Sequence, residues 1–372
     1  MRILLTTAHP HLPEIAGGAQ SSIHQMALAL QQCGHEVAVL SGLVGRGLAG
    51  IKPRMVLKLS GRRTVLDETL GYPTFRAWFP WECAKEVASR FKPDVVVPHS
   101  GFPMRMSRAF TCEDVPTAVY FRNVEPDDFG GEPAGSARTF IANSNFTASR
   151  LFRDYGVKAE VIPPLFDAGR YRTETSRRYV TYINPHPDKG RDLAFEVVRL
   201  CPDIEFLFVR AWTLEPDDEE ALVSIERECD NLTVLDQTGD MRAIYAQTAV
   251  VLAPSRWDEA WGRIATEAHF SGIPVLASDR GGLPEAVGPG GILIDPDEGA
   301  GRWAEILKNL LADTTRYDRL SKAALAYSQR DAIDPSRQIE KFLSCLAVAI
   351  DVKAAPRPLA TDSAPTLPPS PS

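Results

Sequence analysis

Pro254 to Glu285 reads PSRWDEAWGRIATEAHFSGIPVLASDRGGLPE and holds the residue types best suited to chemistry. An apolar run ends at Ala253. A loop then carries Asp258 and Glu259, Gly262 permits close backbone approach, and a helix comes next with Glu267 in its early turns and Gly272 after its end. Two acids so placed flank a helix start, whose unpaired N–H groups and positive dipole end favour an anion. The arrangement suits a molecule with a diphosphate in its middle and hydroxylated rings on either side. Carboxylates accept hydrogen bonds from hydroxyl pairs, and each bond to a charged group contributes roughly 1.5–3 kcal/mol. Read only as two glutamates at this spacing, Glu259 and Glu267 are equally ordinary surface acids.

Such a loop needs a strand before it and a helix after it, and the chain supplies that alternation almost throughout. Short apolar strands are predicted at Arg2–Thr7, Val37–Leu40, Val95–Val97, Ala118–Phe121 and Phe140–Ala142. A helix is predicted from Ala19 to Cys33, with Ile23, Met26, Ala27 and Leu30 at helical spacing and Gly34 as its stop. Ser144 and Asn145 predict the cap of another, running to Tyr155 and closed by Gly156. Residues 168–178 read as a polar linker, after which the rhythm restarts. Strands are expected at Val180–Ile183, Ile204–Val209, Thr233–Leu235, Val250–Ala253, Val275–Ala277 and Ile292–Ile294, with a helix at Asp192–Leu200. Continuous apolar strands alternating with helices predict parallel sheets covered on both faces. Two such blocks predict two doubly wound domains facing a cleft, with ligands beyond the C-terminal ends of the strands.

Composition narrows the function. The 372 residues hold 41 Lys and Arg against 48 Asp and Glu, a net charge of −7, which disfavours binding to a nucleic-acid backbone. The length suggests two ordinary domains. No apolar run is long enough to span a bilayer, the N-terminus lacks the cleavage site of a signal peptide, and the cytoplasm is the expected location. The six cysteines form neither a CxxC pair nor a Cys/His cluster and read as small buried or half-buried residues. His9 and His11 lack a nearby third ligand and read as loop residues. No metal and no cofactor are expected. Gly45, Gly47 and Gly50 form GxGxxG, but after the second strand and before the helix-breaking Lys52-Pro53, so they read as a loop. Between Arg46 and Arg63 stand six basic residues and no acid, followed by Phe75, Trp78, Phe79 and Trp81. This stretch suits a solvated loop before core aromatics, or contact with an anionic acceptor or the inner membrane face. The six prolines of Lys353–Ser372 predict a disordered tail.

In its ordered motifs the chain resembles the retaining family 4 glycosyltransferases of the GT-B fold. Pro254-Ser255, Glu259, Glu267, Gly272-Ile273-Pro274-Val275 and Gly281-Gly282-Leu283-Pro284-Glu285 match their donor-site segment. Gly17-Gly18, with a helix and then Gly34-His35-Glu36-Val37 after it, looks like the family's N-terminal glycine loop. Pro93-Asp94 leading to His99 resembles the strand ending in an active-site histidine. Val161-Ile162-Pro163 with Asp167 resembles the hinge, and Asp188-Lys189-Gly190 the basic site. The resemblance implies an N-terminal acceptor domain (1–172), a C-terminal nucleotide-sugar domain (173–335) and a last helix near 336–352 that crosses back.

It also implies roles. Glu267 would hold ribose hydroxyls and Glu259 sugar hydroxyls. Lys189 would neutralise the diphosphate, helped by backbone amides of Gly262, Arg263 and Ile264. Gly17 and Gly18 would let backbone close on the phosphates, and His99 would face the donor sugar. The implied reaction moves a sugar from a nucleotide-diphosphate donor to an acceptor hydroxyl (a sugar, glycolipid or small molecule), retaining anomeric configuration. An epimerase or phosphorylase on the same fold, or a non-catalytic binder of sugar nucleotides or glycans, are the alternatives. Two departures stand out. Ile183 and Asn184 occupy the positions of a Gly-Arg whose arginine clamps phosphate, and Arg210 or Arg263 is the expected replacement. Pro164-Leu165 stand where the hinge commonly has Asn-Gly.

Overall fold

A computed structural model describes residues 1–15, 17–44, 54–59, 61–134, 137 and 139–354, with side chains to residue 351. The GxGxxG glycines, Arg46, Lys52 and residues 355–372 lie outside the described residues.

The second half of the chain forms one six-stranded parallel sheet. Its order is Leu232–Leu235, Phe206–Val209, Tyr179–Ile183, Thr248–Ala253, Val275–Ser278 and Gly291–Ile294. Each strand is short and β-branched or aromatic, and helices cover both faces, so whole strands such as Phe206–Val209 are buried. In chain order the strands run 3-2-1-4-5-6, the doubly wound arrangement. Its core joins Val180, Phe206, Phe208 and Leu252 to Trp303 and Leu307 of helix Ala300–Ala312.

The first half carries a sheet ordered Val65–Asp67, Thr74–Ala77, Glu36–Gly42, Arg2–Pro10 and Val95–Pro98. All its pairs are parallel except Val65–Asp67 against Thr74–Ala77. A bridge from Val96 to Thr117 continues it into the parallel strands Ala118–Phe121, Thr139–Ala142 and Glu160–Val161. Helix Pro335–Ala354 lies on this half: Ile339, Phe342 and Leu346 share a core with Ile3, Val97 and Tyr120.

The expected elements lie within about three residues of the observed ones. The first helix is Gly18–Gln32, and Ser144 caps helix Asn145–Tyr155 through the Thr147 amide while Gly156 closes it. Strands Val65–Asp67 and Thr74–Ala77 were not expected. Phe75 belongs to the second of these and is a core residue, whereas Trp78 and Phe79 beyond its end are partly exposed. The cysteines divide: Cys83, Cys201, Cys229 and Cys345 are buried, but Cys33 and Cys112 are exposed, correcting the expectation that all six would be covered.

Candidate active site

The C-terminal sheet reverses direction of growth between Tyr179–Ile183 and Thr248–Ala253, so the loops leaving these two neighbours diverge to opposite faces and open a crevice. Loop 184–190 leaves the first. Asn184 adopts a left-handed backbone (φ 66°), and its Oδ1 accepts from the Trp212 amide at 3.1 Å. His186 caps a single turn, Pro187–Lys189, which ends on Gly190 at φ 80°. The loop is bonded to its neighbour: the Asp188 carbonyl accepts from the amides of Arg256 (2.9 Å) and Trp257 (3.1 Å). A Cβ on Gly190 would sit 1.8 Å from the Pro254 carbonyl oxygen, so only glycine lets the loops touch there.

That contact brings Lys189 and Glu259 together. The Lys189 ammonium donates to Glu259 Oε1 at 2.6 Å, and both side chains are less than one-fifth exposed. The ammonium also lies 5.0 Å from the Trp212 ring and 5.6 Å from the Trp257 ring. An ammonium carries three donors, so this salt bridge leaves it able to bind further oxygens. Gly281, at φ 60°, packs on the Glu259 backbone, where a Cβ would come within 2.6 Å of the Glu259 oxygen. The double glycine thus holds the Glu259 loop from the other side.

Glu267 is buried on helix Arg263–His269. Its Oε1 accepts from Arg263 Nε at 3.1 Å and its Oε2 from the Tyr245 hydroxyl at 3.2 Å. The helix starts after Gly262, and its first bond runs from the Ala265 amide to the Gly262 carbonyl. With only seven residues its dipole is small, so positive charge at this end must come mainly from side chains.

Arg263 supplies such charge. Its guanidinium reaches Ser22 Oγ (2.8 Å), Gln25 Oε1 (3.4 Å), the Tyr171 hydroxyl (3.2 Å) and the Leu165 carbonyl (3.3 Å), and lies over the Phe166 ring. It therefore ties the C-terminal lobe to the first N-terminal helix and to the unusual hinge segment. Gly18 lies against its stem, since a Cβ there would be 3.1 Å from Arg263 Cδ. Gly17, the residue before that helix, is extended at φ −172°, a conformation open to any residue. Two more contacts cross between the lobes: Arg150 to Asp258 at 3.4 Å, and Asn145 to Glu285 at 2.8 and 2.9 Å.

Arg210 is arranged differently. Glu219 binds it at 2.6 Å and Asp236 at 3.3 Å, so acids of its own lobe neutralise its charge. Of the two arginines expected to replace the missing clamp, Arg263 reaches across the lobes and Arg210 is engaged on the far strands.

His99 comes directly after strand Val95–Pro98 and is fully buried. Its Nδ1 accepts from Arg122 Nε at 3.1 Å, and its ring packs 5.4 Å from that of Tyr120. Burial first, and the Arg122 charge second, push its pKa well below the usual imidazole range, so the ring is neutral. With Nδ1 accepting, the proton resides on Nε2.

Elsewhere, His11 is buried and bonds through Nε2 to the Tyr72 hydroxyl at 2.9 Å, which also meets His24 Nδ1 at 2.9 Å; it is a core residue and not an open loop histidine. Among the described residues no group of three His, Cys, Asp or Glu is placed to hold a metal, and no helix is long and apolar enough to cross a membrane. The basic, aromatic stretch forms a surface groove of about 660 Å³ lined by Arg54, Lys58, Arg62, Arg63, Trp78 and Phe79 among others. Met55 (58% exposed) and Leu59 (81%) project beside it from the helical turn 54–59.

Sequence reasoning missed four participants. Trp212 and Trp257 lie over the Lys189 ammonium, Tyr245 anchors Glu267, and Arg122 sets the His99 tautomer. Trp257 was readable within the donor-site segment; the other three lie far from their partners in sequence and gave no local signal.

Comparisons with known proteins agree with this geometry. A family model described as glycosyltransferase family 4 matches residues 16–170, and one described as glycosyl transferases group 1 matches residues 179–326. The D-inositol 3-phosphate glycosyltransferase of Segniliparus rotundus is 27% identical over 230 residues, 54% of this chain and 50% of the relative. The chain thus spans about half the length of that curated relative. Among solved structures, Anabaena HepE in complex with UDP-glucose superposes with a TM-score of 0.73 at 22% identity, covering 92% of this chain and 99% of that one. Sucrose-phosphate synthase of Thermosynechococcus elongatus gives 0.72 at 16% identity, covering 94% and 99%. These distant likenesses show the GT-B fold, and the two family models together span most of the sequence. The chain belongs to the group 1 / family 4 glycosyltransferases.

Proposed function

We propose that the protein transfers a sugar from a nucleotide-diphosphate sugar to an acceptor hydroxyl with retention of anomeric configuration. The observation that carries this reading is the 2.6 Å pair of Lys189 and Glu259 at the crevice of the doubly wound sheet, with Glu267 on the next helix. A nucleotide sugar there needs cations for its diphosphate and acceptors for its hydroxyls. Glu267 offers ribose hydroxyls the lone pairs that Arg263 and Tyr245 leave free. Glu259 does the same for the sugar, and when it turns to those hydroxyls the Lys189 ammonium is released toward the diphosphate. Arg263, rather than Arg210, takes the place of the missing phosphate-clamping arginine, helped by the amides of Gly262 and Ile264. Its five N–H donors are otherwise engaged, so it does this by exchanging an interlobe hydrogen bond for a phosphate oxygen. His99 contributes an Nε2–H from the opposite lobe, toward the donor sugar.

As the anomeric bond breaks, negative charge grows on the leaving diphosphate, and fixed cations are then worth most. The acceptor hydroxyl enters on the face the diphosphate leaves, and a leaving phosphate oxygen takes its proton. No side chain is assigned as a covalent nucleophile. Protein cations supply the neutralisation in this scheme, so activity should survive EDTA. A UDP sugar is the first donor to try, because the structural neighbour HepE is described in complex with UDP-glucose.

The test is incubation with UDP, GDP, ADP and CDP sugars, with and without acceptors. Acceptor-dependent release of nucleoside diphosphate, with the product anomer matching the donor by NMR, supports transfer with retention. Interconverted donor sugar would instead identify an epimerase, and tight binding without turnover a non-catalytic relative. A second reading concerns the groove at Arg54–Arg63. Its basic residues beside exposed Met55, Leu59, Trp78 and Phe79 favour peripheral contact with an anionic membrane, where the acceptor would be a glycolipid.

A further inference from the structure

Arg122 lies just past strand Ala118–Phe121 in the N-terminal lobe, outside every role assigned above to a substrate. Its Nε donates to His99 Nδ1 at 3.1 Å and its guanidinium lies 4.2 Å above the Tyr120 ring. These two contacts fix the plane of the group. Neither is an anion, and among the described residues no carboxylate forms an ion pair with Arg122. Its Nη2 is buried and, among the described residues, has no hydrogen-bond partner; the same holds for His99 Nε2. The hydroxyl of Thr6 and the side-chain oxygen of Asn123 are buried and unpartnered too. His99, Arg122 and Asn123 directly follow the C-terminal ends of strands Val95–Pro98 and Ala118–Phe121, and Thr6 pairs with Pro98 from the adjacent strand Arg2–Pro10. The four atoms therefore lie toward the edge where a doubly wound sheet binds ligands.

Arg122 as a whole is half-buried, but a guanidinium nitrogen buried without a counter-charge is costly, and a buried donor without an acceptor adds to that cost. Folded proteins rarely keep such a group unless something supplies the anion. Burial depresses the Arg122 pKa, Tyr120 works against that, and the positive Arg263 of the other lobe adds to it. Arg263 is itself paired with Glu267, so among the described residues the positive charge left without a carboxylate there is that of Arg122.

We propose that Arg122, oriented by His99 and Tyr120, is an anion-recognition residue of the N-terminal lobe, and that the acceptor of the reaction carries a phosphate or carboxylate there. This inference rests on the transferase reading for the word acceptor, but the anion subsite stands independently of it. A flat guanidinium with Nη2 free makes charge-assisted bonds to such a group, and a single point cation would not fix its orientation. Thr6 and Asn123 then offer hydrogen bonds to hydroxyl groups beside the anion. The same chemistry is present in the donor diphosphate, which is the competing source.

The test uses inorganic phosphate as the probe, measured by calorimetry on the full chain, alone and in the presence of saturating UDP. In the wild type, phosphate should bind in the presence of UDP. Arg122→Gln should weaken that binding at least tenfold while leaving UDP affinity within about threefold, and Arg122→Lys should restore part of it. His99→Phe, which removes the orienting Nδ1 and keeps a ring in its place, serves as a second variant should Arg122→Gln melt early, and should also weaken phosphate binding. Phosphate displaced by UDP in the wild type, or bound equally by all three variants, would overturn the proposal and assign the anion to the donor site. Failure of UDP to bind at all would instead count against the transferase reading, and phosphate binding lost in Arg122→Gln would still support the subsite.

Discussion

Gly190→Ala tests whether the site depends on the contact between two loops. Two effects add. Gly190 stands at φ 80°, and a Cβ in that region costs about 1–2 kcal/mol. The same Cβ would lie 1.8 Å from the Pro254 oxygen, a backbone atom that cannot rotate away. To reach even 3.0 Å, the closest approach real Cβ atoms show, loop 184–190 must retreat about 1.2 Å from loop 254–262. That retreat strains the bonds from Arg256 and Trp257 to the Asp188 carbonyl and moves Lys189 off Glu259. A displacement near 1 Å at a reacting centre costs about 100-fold in rate. Gly34→Ala is the control, because Gly34 has a nearly identical φ of 81° and nothing within 4 Å of its Cβ position. Both variants should lose about 1–2 kcal/mol in urea unfolding from backbone strain, and Gly190→Ala more, from its contact with the Pro254 oxygen. Gly190→Ala alone should lose about 100-fold in kcat/KM for nucleotide release. Near-normal turnover in Gly190→Ala, or an equal loss in Gly34→Ala, would refute the claim that loop contact positions the lysine.

Four further outcomes are expected. Arg263→Ala should lower kcat/KM about 10–100-fold, in line with roughly 1.5–3 kcal/mol for a charge-assisted bond, whereas Arg210→Ala, whose charge Glu219 and Asp236 already neutralise, should stay within about threefold; steady-state kinetics decide, and the reverse order would reassign the clamp. Glu267→Gln should raise KM for the donor about tenfold or more, because the buried carboxylate that would take the ribose hydroxyls loses its charge; an unchanged KM would place the ribose elsewhere. Burial, with Arg76 and Arg330 nearby, lowers His11 and His269 to a pKa of about 3. Both are then neutral when folded and titrate near 6.5 when unfolded, so stability is full above pH 6.5 and falls as pH drops toward 3. The loss at pH 5 is about 2 kcal/mol for each, and urea melts at pH 7 and 5 should show it unless these rings are charged in the fold. Finally, Arg62→Glu with Arg63→Glu should cut binding to anionic vesicles at least tenfold, from about 1 kcal/mol per basic residue near such a surface, and flotation that the double variant leaves unchanged would end the membrane reading.

How much of the structure is legible in the sequence depends on how far each signal reaches along the chain. Apolar runs such as Phe206–Val209 and caps such as Ser144 and Gly156 are local, so the alternation and both doubly wound sheets could be read directly. Strands Val65–Asp67 and Thr74–Ala77 escaped because Asp67 and Arg76 break their apolar runs, and the pair is held partly by Arg76. That arginine is 2% exposed and binds Asp67 and the carbonyls of His11 and Leu12, a burial no pattern of residue types announces. The same distinction separates Glu259 and Glu267, which share one short segment, from Tyr245 and Trp212, which reach them only through sheet order.

The two departures in the donor-site motifs become one once the geometry is known. Asn184 fills the place of an arginine, and its side-chain oxygen bonds the Trp212 amide, bringing an indole over Lys189. Leu165 fills a hinge position, and its carbonyl accepts from Arg263. In the proposed reading, the cation lost beyond strand Tyr179–Ile183 is matched by Arg263, which arrives from the helix after Gly262 and contacts both lobes at once. An arginine anchored in this way responds to how the lobes sit. If Arg263 is the clamp, weakening its N-terminal anchors without touching the C-terminal lobe should impair the donor site. Ser22→Ala with Gln25→Ala should therefore raise KM for the donor several-fold and leave the melting temperature nearly unchanged. A normal KM in that variant would make Arg263 a strut between lobes and return the search for the missing phosphate cation to Lys189 alone.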